Sequence, residues 1–213
     1  MMLRIAAAAA VAVPSSFASG QTSIRYDFTL EVISNTFSAT DPGSAFAAVP
    51  VGSMGVLSIE ASTTPIPGFG SADTLAYPIL STSAIIGGID AALDQSGYPS
   101  TSFVTGLNVS NDADSSSPDL LGAILPSVLA DVSLTLFTFG APSLWDSTQL
   151  PTAIDVAAPG SQGGFTIDAA NRVGSDGQLR TQFTDVEITL IPTPAGTTAL
   201  AASLLFIRRR RCR

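Results

Sequence analysis

The chain has 213 residues, of which 17 are acidic and nine are basic, for a formal net charge of −8, and it contains no histidine. All nine basic residues are arginine, so lysine is absent as well. These absences exclude Ser-His-Asp and Cys-His nucleophiles, histidine-ligated zinc or iron, Schiff-base lysines and Walker-type phosphate loops.

The N-terminus has the pattern of an export signal. Arg4 is followed by an apolar run over residues 5–13 and then by the small residues Ala18 and Gly20. A basic start, a short apolar segment and a small-residue site are typical of a signal peptide, which we predict to be helical over residues 1–20. The Sec machinery and signal peptidase are the expected partners, with cleavage between Gly20 and Gln21.

Residues 21–191 have the pattern of one all-β domain. Apolar residues such as Tyr26 and Phe28 alternate strictly with polar ones over residues 23–32, which predicts a strand with one buried face. Further strands are predicted over residues 55–62, 74–80, 102–109, 131–139, 164–168 and 182–191. Short strands separated by Gly, Pro, Ser and Asp turns indicate an antiparallel β-sandwich, jelly-roll-like in type. Residues 89–94 and 120–129 are predicted to be short helical turns.

The densest polar segment covers residues 108–119. Asp112, Asp114 and Asp119, with Asn111 and nearby carbonyls, offer the hard oxygen ligands that Ca²⁺ prefers. The spacing lacks the glycine and the closing glutamate of an EF-hand. We favour the alternative of a solvated loop in which Asp side chains bond their own backbone. Calcium is the only cofactor that the sequence suggests.

Sugar binding normally uses exposed aromatic side chains beside polar groups. Trp145, Tyr77 and Tyr98 lie near predicted loops and are the candidates, whereas Tyr26 lies on the apolar face of the first strand. The favoured alternative for Trp145 is a packed position at an edge of the sandwich. These three residues make an exopolysaccharide a candidate ligand.

The C-terminal segment, residues 192–213, has a composition of its own. Pro192, Thr193 and Pro194 form a turn, and an uncharged run follows over residues 195–207. At about 1.5 Å per residue, a helix of this run reaches roughly 20 Å, short of a ~30 Å hydrocarbon core. The arginines that follow resist transfer and should hold the tail on the cytoplasmic side of the membrane. They are Arg208, Arg209, Arg210 and Arg211, with Arg213 beyond them.

This tail resembles the PEP-CTERM sorting signal of Gram-negative bacteria, in which a Pro-Glu-Pro motif precedes a transmembrane stretch and an arginine cluster. Pro192 and Pro194 match the two prolines, and Thr193 stands where the family usually has Glu. The resemblance implies processing by an exosortase-type membrane enzyme, transient membrane anchoring and then release to the cell surface or the extracellular space.

The charge is divided unevenly between the ends and the predicted domain. Residues 21–191 contain three arginines and all 17 acidic residues, so this segment carries −14. Such a charge should repel nucleic acid, which is therefore an unexpected partner. The single cysteine, Cys212, lies in the tail, so no disulfide framework is expected in the domain.

The first functional hypothesis is a non-enzymatic, exported cell-surface or matrix protein, sorted through its C-terminal signal. A carbohydrate-binding module for exopolysaccharide is the second. The third is a carboxylate-dependent hydrolase, which requires two acidic side chains facing each other across a cleft. No pair of carboxylates in the sequence stands out for that role, so we predict that the protein is not an enzyme.

Overall fold

A computed structural model describes residues 22–71, 73–100, 102, 104–111, 119–141, 145, 147–170 and 177–192. All of them belong to one compact unit, Gln21–Thr193. The predicted signal peptide and nearly all of the predicted sorting segment lie outside the described residues, as do the helices expected there.

The described chain is mostly antiparallel β-sheet with almost no helix, which confirms the predicted all-β class. Its strands are β1 (Ser23–Asn35), β2 (Met54–Ser62), β3 (Thr74–Tyr77), β4 (Ile79–Ile86), β5 (Ile89–Asp90), β6 (Leu107–Ser110), β7 (Asp119–Ile124), β8 (Val132–Ala141), β9 (Gln162–Ala169) and β10 (Gln178–Ile191). One helical turn, α1 (Phe37–Thr40), and one 3₁₀ turn (Ala45–Ala48) follow β1. No helix in the described part of the chain is long and apolar enough to cross a membrane.

The two predicted helical turns are wrong. Residues 120–129 contribute most of β7, because a continuous apolar run does not distinguish a buried strand from a helix. Residues 89–94 begin with β5, which forms a hairpin with β4 through Gly87 and Gly88. Both glycines have positive φ, 57° and 82°, as a tight two-residue hairpin turn requires.

The predicted strand over residues 74–80 is in fact two strands, β3 and β4, interrupted at Pro78. The predicted strand over residues 102–109 is shorter than expected, since β6 begins only at Leu107. The first predicted strand is longer than expected, because β1 continues to Asn35. Strand ends were therefore less predictable than strand existence.

All ten strands form one sheet in the order β3-β6-β7-β8-β9-β10-β1-β2-β4-β5. The strands β3 and β4 lie near opposite ends of this order, yet a single residue, Pro78, joins them. The two ends of the sheet must therefore come close together, and the sheet curls back on itself.

Ring contacts across the sheet lead to the same conclusion. Phe28 on β1 and Phe137 on β8 are three strands apart in the sheet order, which corresponds to roughly 14 Å in a flat sheet. Their ring centroids are 5.1 Å apart, and Phe183 on β10 contacts both rings. The inner face of the curled sheet therefore forms the hydrophobic core.

The buried face of β1 is the one that the sequence predicts. Its inward-facing side chains are almost completely buried, and they are Ile24, Tyr26, Phe28, Leu30 and Val32. Burial of each large apolar side chain contributes about 1.5–3 kcal/mol. The Tyr26 hydroxyl also donates a hydrogen bond of 2.8 Å to the Pro151 carbonyl, which ties the loop after β8 to the core.

Along strand β10, the residues that face the core are odd-numbered in the first half and even-numbered in the second. Leu179, Thr181 and Phe183 are buried, whereas Val186 and Ile188 face the core further along. The shift occurs because the pairing with β1 skips one residue, so that Leu30 faces Phe183 while Thr29 faces Asp185. A bulge of this kind bends and twists the strand locally.

Candidate functional site

The most distinctive local feature is a fork between β9 and β10. These two strands pair at only three positions in the described chain, from Gln178 with Asp168 to Arg180 with Thr166. Next along β10, the Thr181 hydroxyl takes the place of backbone pairing, accepting from the Phe165 N–H and donating to the Phe165 carbonyl at 2.9 Å each. Beyond this point the two strands diverge.

Glycine makes the close approach of the two backbones possible. A Cβ atom on Gly164 would lie 1.9 Å from the Thr181 carbonyl oxygen, which is far below any allowed contact. On Gly163, a Cβ would meet the rings of Phe139 and Phe183 at 2.6 and 3.0 Å. Gly164 therefore lets β9 approach β10 closely, and Gly163 leaves room for the two rings.

An open groove of about 350 Å³ lies at this fork. Its walls come from β8, β9, β10 and the end of β1, and most of the lining side chains are polar and uncharged. The lining residues are Ile33, Thr138, Ser161, Gln162, Gly163, Gly164, Thr166, Arg180, Thr181 and Gln182.

The charge of the groove differs from that of the domain around it. Among the described residues that line it, Arg180 is the only charged one, and none carries a carboxylate. The exposed Arg180 guanidinium forms no ion pair with any described residue. In contrast, Arg25 contacts Asp27 at 2.9 Å, and this hydrogen bond and charge raise the pKa of Arg25. Arg180 is therefore available to a ligand, whereas Arg25 is already paired.

This arrangement is suited to binding a polar ligand. The two glutamines and the Ser and Thr hydroxyls donate and accept hydrogen bonds, and Arg180 adds a planar cation with several donors. The groove therefore fits a polar ligand, especially one that carries a carboxylate or sulfate.

The three aromatic candidates do not form one exposed surface. Tyr77 is 2% exposed and donates to the Thr148 carbonyl at 2.8 Å. Trp145 is half-buried, and its Nε1 donates to the Ser110 carbonyl at 2.9 Å. Tyr98 is also half-buried and packs against the core. Burial raises the pKa of the Tyr77 and Tyr98 hydroxyls. All three residues have packing roles, and none lines the groove at the fork.

Asp119 is the one described member of the predicted calcium set. It is 2% exposed, and its Oδ2 accepts a hydrogen bond of 3.0 Å from the Trp145 backbone N–H. Asp112 and Asp114 lie outside the described residues, so the calcium site stays a prediction. Among the described residues, no three acidic or cysteine side chains are grouped closely enough to hold a metal ion.

The predicted processing residues fall almost entirely beyond the described chain. Pro192 is exposed directly after β10, whereas Gly20, Gln21, Thr193 and Pro194 are not described. The retention arginines 208–211 also lie outside the described residues. Cleavage and membrane retention therefore stay predictions from the sequence.

The carboxylates on the outer face of the sheet lie side by side. Asp27 and Glu187 are direct cross-strand neighbours on β1 and β10. Asp27 also accepts hydrogen bonds from Arg25 and from the Ser58 hydroxyl. The pair lies along one face of the sheet, and Asp27 is already engaged by two neighbours.

Sequence reasoning did not identify the groove. Its lining residues come from four strands, and none of them belongs to a recognisable motif. Two signals were present: the consecutive glycines 163 and 164 at the start of the strand predicted over residues 164–168, and Arg180 as one of few arginines in an acidic domain. Glycine inside a strand often marks a bulge or a close approach of another backbone.

Comparisons with protein-family models, with curated proteins and with solved structures give no match to this chain.

Proposed function

We propose that this chain is an exported, non-enzymatic protein of the cell surface or extracellular matrix, sorted through residues 192–213. The proposal is supported by the two end segments of the sequence and by the domain between them. The observation that supports it most is that an extensive apolar core stabilises the described β-domain, which contains neither cysteine nor histidine. The stability of such a domain does not depend on disulfides, so it is compatible with export to an oxidising compartment.

Localisation in cells tests this proposal. We expect the full chain to pass through a membrane fraction and to be recovered from the surface or medium at a reduced mass. Deleting residues 192–213 should abolish the membrane-bound stage. Changing Arg208, Arg209, Arg210 and Arg211 together to Gln should shorten that stage while keeping the apolar run. A full chain whose mass shows that it keeps its tail, or that never enters the membrane fraction, would refute the sorting role.

We also propose that the curled sheet is a jelly-roll-like sandwich of two five-stranded layers, β3-β6-β7-β8-β9 and β10-β1-β2-β4-β5. The short β9–β10 pairing supports a corner between the layers, and the ring contact between Phe28 and Phe137 supports their face-to-face packing. A double-mutant cycle on these two phenylalanines should give a coupling of about 0.5–1.5 kcal/mol. Additive effects would contradict the packing of the two layers.

Binding of an acidic exopolysaccharide at the groove is a second candidate function. The observation that favours it is that Arg180 lies among neutral hydrogen-bonding side chains and has no ion pair with any residue that the structure describes. Arg180→Ala should weaken binding of a uronate-containing polysaccharide by about tenfold to a hundredfold, as expected for a lost charged hydrogen bond. Titration calorimetry measures this, with Arg25→Ala as the matched control and a neutral polysaccharide as the second ligand. Equal affinities for the native protein and Arg180→Ala would refute this role for the groove.

A further inference from the structure

Among the residues that the structure describes, none forms a strand along the outer edge of β10 over most of its length. On one side β10 pairs with β1 from Leu179 to Ile191. On the other side it pairs with β9 at Gln178–Arg180, where β9 departs. In the described part of the chain no strand pairs with residues 182–191 on that side. Backbone N–H and C=O groups along this side therefore have no strand partner among the described residues and can receive another strand, while the Val186 N–H already donates to Asp185 Oδ1 at 2.8 Å.

The core-facing side chains of this edge are incompletely covered. Val186 and Ile188 are half-buried, and Leu190 is 61% exposed. Their neighbours on β1, such as Tyr26 and Phe28, are completely buried because β1 has a strand on each side. An added strand beyond β10 would cover the apolar row and satisfy the backbone groups together.

We propose that this edge pairs antiparallel with the same edge of a second copy of the chain, about a twofold axis through Ile188. In this register Ile188 faces Ile188 of the second copy, and Val186 faces Leu190. Glu187 faces Thr189 on the outer side. Over residues 186–190 the strand is thus self-complementary, with apolar residues opposite apolar residues and Glu187 opposite the neutral Thr189 hydroxyl, whereas Asp185 faces Ile191 just beyond this segment. This mode of recognition is strand addition to a sheet edge.

Charge repulsion disfavours two of the neighbouring registers. An axis through Val186 places Asp185 opposite Glu187 of the other copy, and an axis through Glu187 places that carboxylate opposite itself. Like charges directly opposite each other destabilise a strand pair. An axis through Thr189 places Glu187 opposite the apolar Ile191 and leaves only residues 188–190 without a mismatch. The register through Ile188 has the longer matched segment, residues 186–190, because its mismatch of Asp185 with Ile191 lies just beyond it.

The acidic character of the domain predicts how this association responds to salt. Residues 21–191 carry −14, so two copies repel each other at long range. Added salt screens that repulsion, while the hydrogen bonds and apolar contacts of the paired strands are little affected. Dimerisation should therefore strengthen as the salt concentration rises.

Analytical ultracentrifugation of the full chain, in one mild detergent throughout, tests the proposal. Thr189→Glu places carboxylates opposite Glu187 at both symmetric positions and should weaken the dimer by about tenfold. Thr189→Lys creates two opposite-charge pairs and should tighten it by a similar factor. Within one copy Thr189 pairs with Arg25, so effects on folding have the opposite sign and are measured separately by thermal unfolding.

Ser83→Glu and Ser83→Lys are the matched controls. Ser83 is exposed on β4, away from the β10 edge, and these changes alter the net charge by the same amounts. They should shift the dimer constant much less than the Thr189 variants do. Equal shifts at both positions would overturn the proposed register. If the native chain sediments as a monomer at its highest soluble concentration, the proposed pairing of two copies is overturned.

Discussion

Replacing Gln95 with alanine should destabilise the domain through the outer edge of β4. The Gln95 side chain imitates a neighbouring strand: its Oε1 accepts from the Thr82 N–H at 3.1 Å, and its Nε2 donates to the Thr82 carbonyl at 2.7 Å. Ser100 and Ala91 bond other positions of the same edge through their backbone N–H groups. Gln95 therefore closes the middle of an edge that β5 covers only at its end.

The magnitude follows from the burial of Thr82, which is 8% exposed. Gln95→Ala leaves a buried N–H and a buried carbonyl without their partner, and each such group costs about 1–3 kcal/mol. Water that enters the space left by the side chain offsets part of this cost. We expect a loss of about 2–3 kcal/mol in the free energy of unfolding.

Urea unfolding of the full chain at neutral pH measures this change, with the fluorescence of the single tryptophan, Trp145, as the probe. Gln149→Ala is the matched control, since Gln149 is exposed and should change stability by less than about 0.5 kcal/mol. Gln95→Glu keeps the acceptor but loses the donor, so it should also be destabilising at pH 7. If Gln95→Ala unfolds at the same urea concentration as Gln149→Ala, edge closure by Gln95 is refuted.

Three further predictions concern the core and the fork. Thr135→Val should raise the free energy of unfolding by about 1 kcal/mol in the same urea assay. The reason is that the buried Thr135 hydroxyl has no hydrogen-bond partner among the described residues. A loss of stability would contradict this prediction. Burial raises the pKa of Tyr26 above its ordinary value of about 10. The contribution of the Tyr26 hydroxyl to stability is therefore fully present below about pH 10 and declines above it. Tyr26→Phe should lower the free energy of unfolding by about 1 kcal/mol at pH 7 and make that free energy fall less steeply at alkaline pH. An unchanged dependence of stability on pH would refute the raised pKa of Tyr26. Gly164→Ala should lower the melting temperature measured by circular dichroism by more than 5 °C, roughly the effect of 1–2 kcal/mol in a domain of this size. The reason is that the added Cβ would collide with the Thr181 carbonyl. A native-like melting temperature would show that the two strands do not approach each other so closely.

Strict alternation made β1 and β2 predictable from the sequence. Tyr26 and Phe28 on β1, and Leu57 and Ile59 on β2, are buried on the faces that the alternation indicates. Side-chain direction in a strand depends only on neighbouring residues, so a local pattern is enough to assign it. The all-β class followed from such segments and from the turn residues between them.

Strand β7 and the Gly87-Gly88 hairpin were mispredicted because their local signals are ambiguous. The apolar run that becomes β7 would suit a helix in another context, and its pairing with β6 and β8 decides the outcome. The parity shift in β10 arises from its bulged pairing with β1. In each case the competing conformations are separated by contacts with distant residues.

The sequence by itself determined the all-β class, the acidic and histidine-free character of the domain, and the buried face of its first strands, since these depend on composition and on neighbouring residues. Tertiary structure alone decided that, within the described chain, Arg180 lines a groove without an ion pair and no strand covers β10 after β9 departs. Strand order and register are set by pairings between residues far apart in the chain, and a one-residue slip sends every side chain of a strand to the opposite face. For that reason the groove and the edge became visible only once the strands were paired.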